Sequence, residues 1–406
     1  MSSTESMLGI SPQPLFYERL AEELSRKVSQ GALLRNLDLK DFRVDFCSND
    51  YLGYARSPLL EANILARLEH SPLSRCRLVG ATGSRLLTGN DPQALALEQE
   101  LASFFGFEKA LLFNSGYNLN LGLLATIPQR GDCLLIDANI HASFRAGAQL
   151  SKASSYFFRH NDLKHLEDKL GRLSSAQVFV VVESLYSMDG DIAPLLEISK
   201  LCERYRAHLI VDEAHAVGTL GQARRGLVYE LGLQDKVLAL NVTFGKALGC
   251  HGACLLARGP LIPYMINFCQ ALIYTTALPP SSWISAQESF RLLQEDANSH
   301  QQLSDNIQFF HKELRAHGIR AFFDQQSPIY AFVFGDGDQN QSSLMALQEC
   351  AALMKQNGLG VLPIYSPSVK RGTERLRVCL HSFNTKEEIQ ELIKGLLPFE
   401  KFWKKY

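Results

Sequence analysis

Short apolar runs recur along the first two thirds of the chain, and each ends in small or polar residues. They are Ala110-Leu111-Leu112-Phe113, Cys133-Leu134-Leu135-Ile136, Val178-Phe179-Val180-Val181-Val182, Leu209-Ile210-Val211 and Val237-Leu238-Ala239-Leu240. Runs of this length, bounded by turn-forming residues, predict buried strands. Between them the apolar spacing turns helical: Pro92 to Phe105, Leu119 to Ala125, and Pro194 to Arg206, where Leu195, Ile198, Leu201 and Tyr205 share one face. Apolar strands alternating with helices predict an α/β fold, its central sheet mainly parallel and covered by helices on both faces.

The flanks read differently. Leu20, Leu24, Leu33 and Leu34 alternate with charges between Pro14 and Arg35, which predicts an amphipathic helix, and Phe42 to Leu52 reads as a short alternating strand running into a polar turn. Beyond Pro279-Pro280 the spacing predicts helices over Trp283 to Leu293, Gln302 to His317, Leu344 to Gln356 and Lys386 to Leu397, with short strands at Ile329 to Phe334, Val361 to Ile364 and Arg375 to Leu380. That mixture predicts a smaller α+β C-terminal domain. The chain is accordingly divided into an N-terminal helix and strand segment (1–55), a large domain (56–280) and the C-terminal domain (281–406).

Polar chemistry collects where the strands end. Gly116-Tyr117 follows the first run, His141 the second, Ser187 the third, Asp212 and His215 the fourth, and Thr243 with Lys246 the fifth. Open α/β sheets bind ligands at the carboxyl ends of their strands, so these residues are candidates for one site. Taken singly, each is also a cap or loop residue, Lys246 a surface lysine, and Gly116-Tyr117 an ordinary strand-to-helix turn. Together they match the needs of pyridoxal phosphate, which uses a lysine imine, an acidic partner for its ring nitrogen and a cradle for its phosphate. Lys246, between small residues, can approach an aldehyde. Asp212 suits the ring nitrogen, His215 the ring oxygen and His141 the ring face, while Gly116 at a helix start, with Thr243, suits phosphate.

Composition narrows the partners. The 406 residues carry a net charge of −1 and are 46% apolar, which describes a globular protein without an electrostatic reason to bind nucleic acid or an anionic membrane. The nine cysteines are scattered without a zinc-site pattern, so no metal is expected, and they suit a reducing compartment. Met1 to Pro14 has no basic leader or apolar core, and no stretch approaches the length of a membrane helix, which points to the cytoplasm. Asp212-Glu213-Ala214-His215 spells a helicase box, but the phosphate loop that such an enzyme needs is missing: alanine follows the Gly245-Lys246 pair and Leu240 stands at the position of the first glycine.

The order of the motifs Ser48-Asn49-Asp50-Tyr51-Leu52-Gly53, Thr82-Gly83-Ser84-Arg85-Leu86, Asn139-Ile140-His141-Ala142-Ser143, Ser187-Met188-Asp189-Gly190-Asp191, Asp212-Glu213-Ala214-His215, Thr243-Phe244-Gly245-Lys246 and Tyr274-Thr275-Thr276-Ala277-Leu278-Pro279-Pro280 resembles that of the α-oxoamine synthases. The likeness runs from about Arg35 to Leu380. It implies a fold-type I pyridoxal-phosphate transferase, a homodimer with active sites shared between subunits, and decarboxylative condensation of an amino acid with an acyl-CoA or acyl-carrier-protein thioester. L-alanine and a pimeloyl thioester, as in biotin synthesis, are the pair implied; a glycine-using or signal-making relative is the alternative, and a non-catalytic protein on the same fold is another. By the same resemblance Lys246 forms the imine, Asp212 partners the ring nitrogen, His141 stacks on the ring, and Ser187 and His215 flank the ring oxygen. Gly116, Tyr117 and Thr243 serve the phosphate, with Thr275 or Thr276 reaching in from the second subunit. Arg377 binds the amino-acid carboxylate with help from Asn49, and Arg35 and Ser368 lie on the acyl side. Ser368 stands where the most similar family member has threonine, and Tyr117 where it has phenylalanine.

Overall fold

The structure, a computed structural model, describes residues 12–29, 37, 41–70, 79–173, 177–222, 224–319, 327–335, 341–366 and 368–403. Twelve strands are named in chain order: β1 Val44–Asp45, β2 Lys109–Phe113, β3 Cys133–Asp137, β4 Ser154–Phe158, β5 Val178–Glu183, β6 His208–Asp212, β7 Val237–Thr243, β8 Ala253–Ala257, β9 Ile329–Val333, β10 Leu359–Gly360, β11 Leu362–Ile364 and β12 Arg375–Cys379. Seven of them form one sheet in the order β2-β8-β7-β6-β5-β3-β4. All run parallel except β8, which pairs antiparallel with both β2 and β7. The all-apolar strands expected from the sequence are buried on both sides: β3 and β5 are buried at every position. Two apolar clusters lie on the two faces, one with Leu112, Leu135, Val180, Val182 and Val211, the other with Leu111, Leu134, Val181 and Ile210. The alternation along each strand divides the residues between faces.

Three departures from the expected pattern have local causes. The stretch Phe42 to Leu52 keeps only two strand residues, because the Asp45 carboxylate accepts the backbone N–H groups of Cys47 and Ser48 at 2.9 Å each and turns the chain. β4 escapes notice in the sequence because an edge strand, Ser-Ser-Tyr-Phe-Phe, is mostly uncovered. β8 likewise joins β7 as a hairpin partner that the helix-strand alternation does not predict.

The C-terminal part builds a separate antiparallel sheet, β11-β12-β9, flanked by the helices Ala297–Ala316, Gln341–Gln356 and Lys386–Leu396. The last of these begins with a full capping box, Thr385 and Glu388 satisfying each other's backbone N–H groups. β1 pairs with β10, so the strand near the N-terminus is stitched to the C-terminal part. Among the described residues no helix is long and apolar enough to cross a membrane.

Candidate active site

A cavity of about 230 Å³ opens at the carboxyl ends of β2, β5, β6 and β7, lined by Gly116, Tyr117, His141, Asp212, His215, Thr243 and Lys246. All seven are residues that the sequence places at strand exits. Ser115, Asn120, Glu183, Ala214, Gly245, His251 and Gly252 complete the lining.

The floor is a line of donors ending on the two groups that would meet a ring. Asn241, inside β7, donates through Nδ2 to Asn120 Oδ1 at 2.7 Å and thereby fixes the orientation of that amide. Asn120 then spends its two N–H groups on Asp212 Oδ2 at 2.8 Å and Ser143 Oγ at 3.1 Å. The Ser143 hydroxyl in turn lies 2.8 Å from His141 Nδ1, and the Ser143 backbone N–H donates to the same nitrogen at 3.3 Å. Nδ1 is therefore an acceptor, and the ring is the neutral tautomer with its proton on Nε2. Burial agrees, pushing the His141 pKa down against the pull of Asp212. Asp212 is almost fully buried and also accepts the Ala214 backbone N–H at 2.8 Å, so each of its two oxygens is held by a donor.

Lys246 lies in the turn between β7 and β8. Burial lowers its pKa, and the nearby carboxylates of Asp212 and Glu183 only partly offset that effect. Glu183, at the end of β5 and paired in register with Asp212, accepts the His141 backbone N–H at 2.6 Å. Burial, reinforced by the charge of Asp212, raises its pKa to about 8, so this carboxyl takes up a proton far more readily than an exposed glutamate.

Beside the cavity, outside its lining, lie Arg377 of β12 and the N-terminal turn. Arg377 Nε donates to the Ser187 carbonyl at 2.6 Å, and Nη2 donates to Asn49 Oδ1 at 3.0 Å. The Tyr51 hydroxyl lies 3.1 Å from Asn49 Oδ1 and 2.7 Å from His215 Nδ1, linking the arginine to the cavity. His215 is buried, and that burial, with the charges of Lys246 and Arg377, keeps its ring neutral. Ser187 and Asn49 thus touch Arg377 beside the cavity rather than lining it.

Other expected residues lie elsewhere. Thr275 and Thr276 sit near the exit of β2: Asn114 Nδ2 donates to the Thr276 carbonyl at 2.6 Å, and neither threonine lines the cavity of its own chain. Ser368 is exposed in the turn after β11, its backbone N–H donating to the Tyr365 carbonyl at 3.0 Å. Arg35 falls outside the described residues. Sequence reasoning did not single out Tyr51, Asn120 or Glu183. Asn120 had a signal, an amide flanked by Leu119 and Leu121 in the apolar helix Gly116–Thr126, whereas Glu183 read as the polar end of a strand.

The end of the cavity at Gly116 suits a phosphate. The helix Gly116–Thr126 points its N-terminus there, with Ser115 capping it through Asn118, and its first N–H groups have no partner within the helix. The Thr243 hydroxyl beside it is buried without a hydrogen-bond partner. A Cβ on Gly116 would lie 2.3 Å from Thr243 Cγ2, so only glycine leaves this corner open. An unsatisfied hydroxyl, free helix N–H groups, an oriented carboxylate and a lysine of lowered pKa are the donor set that a pyridoxal phosphate would use.

Residues 43–396 match the aminotransferase class I and II family. An 8-amino-7-oxononanoate synthase of Vibrio atlanticus is 34% identical over 95% of this chain and 93% of its own length, and one of Emericella nidulans is 36% identical over 96% and 97%. Among solved structures, serine palmitoyltransferase of S. paucimobilis superposes with a TM-score of 0.82 at 28% identity, covering 95% of this chain and 97% of its own. The 8-amino-7-oxononanoate synthase of Francisella tularensis superposes with a TM-score of 0.74 at 26% identity, covering 88% and 98%. The chain therefore belongs to the aminotransferase class I and II family and, within it, to the α-oxoamine synthases.

Proposed function

We propose that this protein is a pyridoxal-phosphate-dependent acyltransferase that joins L-alanine to a pimeloyl thioester, releasing CO₂, the free thiol and 8-amino-7-oxononanoate, a step of biotin synthesis. The observation that carries the reading is the single cavity in which Lys246, Asp212, His141 and the Gly116–Thr243 corner converge. The names of the most similar relatives supply the substrates.

Gly116, Tyr117 and Thr243 would hold the phosphate, Asp212 the ring nitrogen, His215 and Ser187 the ring oxygen, and His141 the ring face. Bound there, pyridoxal phosphate would supply an electron sink for the pair left when a bond to Cα breaks. Arg377, with Asn49 steadying its guanidinium, grips the amino-acid carboxylate in a bidentate fashion. Lys246 removes the Cα proton, and its lowered pKa enlarges the share of unprotonated amine. His141, its proton on Nε2, donates to the thioester oxygen as the new carbon–carbon bond forms. Glu183 keeps the turn that carries His141 in place. Arg35 and Ser368 meet the acyl chain.

A homodimer completes the site, with Thr275 or Thr276 of a second copy closing the phosphate end. The surface around these threonines supports this: Tyr274 is 81% exposed and Leu87 80%, and the Ala277 backbone N–H donates to the Gly83 carbonyl at 2.9 Å, joining the two loops into one face. The eight described cysteines are free thiols, which fits the cytoplasm.

The test is the mass of the product made by the purified enzyme from L-alanine with pimeloyl-CoA or the pimeloyl carrier protein. The mass of 8-amino-7-oxononanoate, with CO₂ released in equal amount, supports the reading. The likeness to serine palmitoyltransferase gives a second reading, an α-oxoamine synthase of other substrates. A panel of alanine, glycine and serine with short and long acyl thioesters decides between them, and no turnover with any pair overturns both.

A further inference from the structure

Beside the cavity, one turn bridges two of its supporting loops. His160 and Asn161 follow β4. His160 Nδ1 lies 2.7 Å from Asp137 Oδ1 and Nε2 2.6 Å from Asp191 Oδ2. Asn161, in the left-handed region at φ 51, donates its backbone N–H to Asp137 Oδ2 at 3.0 Å and its side-chain amide to Asp191 Oδ2 at 2.6 Å. Asp137 also accepts the Asn139 backbone N–H at 2.8 Å. Asp137 closes β3 just before the turn that carries His141, while Asp191 belongs to the loop that follows Ser187.

This geometry specifies a charge. Asp137 and Asp191 also accept N–H groups from Asn139 and Asn161, and with both carboxylates ionised each ring nitrogen donates and the ring is an imidazolium. The groups facing His160 are Asp137 from β3, and Asp191 and the Tyr186 ring from the loop after β5, the ring edge-on at 4.4 Å between centroids. Asp189 of that loop is already paired with Arg375 of β12. The same loop is fixed to the C-terminal part by the Ser327 hydroxyl, which donates to the Gly190 carbonyl at 2.7 Å.

We propose that His160 is a positioning residue, a half-buried imidazolium that ties the turn bearing His141 to the loop bearing Ser187 and so holds the two at a fixed separation beside the cavity. The assignment of a catalytic purpose to that separation rests on the function proposed above. Burial works against the charge, but the hydrogen bonds and charges of Asp137 and Asp191 outweigh it and lift the ring to about 9. Because the folded pKa exceeds that of the unfolded chain, the clamp is fully present below pH 6.5 and is lost as pH rises through about 9.

The test uses the holoenzyme labelled with ¹⁵N in its histidine rings. At pH 8 one ring is expected with both nitrogens protonated; its signal is absent from H160Q, and D191N lowers its titration midpoint by about one unit or more. In steady state, H160Q is expected to lower kcat about 10- to 100-fold while KM for the acyl thioester stays within about twofold. A neutral His160 ring at pH 8, a midpoint unmoved by D191N, or an H160Q enzyme with the kcat of the wild type would overturn the proposal. If H160Q does not fold, the ring titration and kcat of D191N decide it. The ring spectrum needs no substrate, so a wild type that fails to condense alanine with pimeloyl thioester overturns the functional reading and leaves the clamp to be judged on the spectrum.

Discussion

The two sheets of this molecule present chemistry in opposite ways. In the seven-stranded sheet the central strands are mostly apolar on both faces, with Asn241 inside β7 an exception, and Asp212, Thr243 and Glu183 are the last residues of β6, β7 and β5. In the three-stranded sheet, β12 carries Arg375 and Arg377 within the strand, alternating with Leu376 and Val378, and all four are buried. The reason is coverage. A parallel sheet packed by helices on both faces leaves little room for a polar group unless a helix residue meets it, as Asn120 meets Asn241, so most of its chemistry gathers at the strand ends. An antiparallel sheet with one face on a helical core can turn the other toward a neighbour, and here that neighbour is the Ser187–Asp191 loop. The large sheet thus supplies the groups that face the cavity, and the small sheet supplies arginines that hold a loop and, by proposal, a substrate carboxylate.

Substitutions can sharpen that contrast. Lys246→Ala, at the edge of the large sheet, is expected to cost kcat about 1,000-fold or more while leaving the melting temperature within a few degrees, measured by product formation and thermal unfolding. Arg375→Met should do the reverse. It leaves Asp189 charged and unpaired in a buried loop, at a cost of roughly 3–5 kcal/mol in denaturant unfolding. Arg377→Lys falls between the two: replacing a fork by a point charge is expected to raise KM for the amino acid about 10- to 100-fold with a smaller change in kcat. Were Arg375→Met to lose activity without losing stability, the division between a reactive edge and a structural strand would be wrong.

The smallest effect concerns Glu213, whose carboxyl burial raises to about 8 although the Val228 backbone N–H donates to it at 2.7 Å. The folded state holds this proton where the unfolded chain has released it, so the native fold is favoured at low pH and loses that advantage between pH 4.5 and about 8. Glu213→Gln removes the titration. Its melting temperature should gain on that of the wild type by about 2–5 °C between pH 5 and pH 8, read from paired melts.

What was legible in the sequence follows the same contrast. The edge of the parallel sheet could be read because each apolar run announces its own end, so Gly116, His141, Asp212, His215, Thr243 and Lys246 were found together. The floor could not be read in this way. Asn120 meets Asp212 only because the helix Gly116–Thr126 packs its inner face on β7 and β8, and a periodicity gives that face without saying which polar group lies opposite. Tyr51 and Arg377 meet through Asn49 across more than three hundred residues, a distance that no local pattern spans. His160 was missed for a related reason. Its strand is an exposed edge, and its two aspartates come from separate turns.

The antiparallel β8 has a consequence for the lysine that precedes it. Thr243 pairs with Ala253, the Phe244 N–H donates to the Gly252 carbonyl at 3.0 Å, and the Cys250 N–H donates to the Phe244 carbonyl at 2.9 Å. Both ends of the segment that carries Lys246 are therefore tied to the sheet. The reach of the Lys246 amine is therefore set by the length of its own side chain, and the backbone cannot carry it off. A tethered group of this kind acts as if present at a concentration far beyond any solution, on the order of 10⁵ M in well-oriented cases, so the entropy of locating the base is spent once, during folding, and not at every turnover.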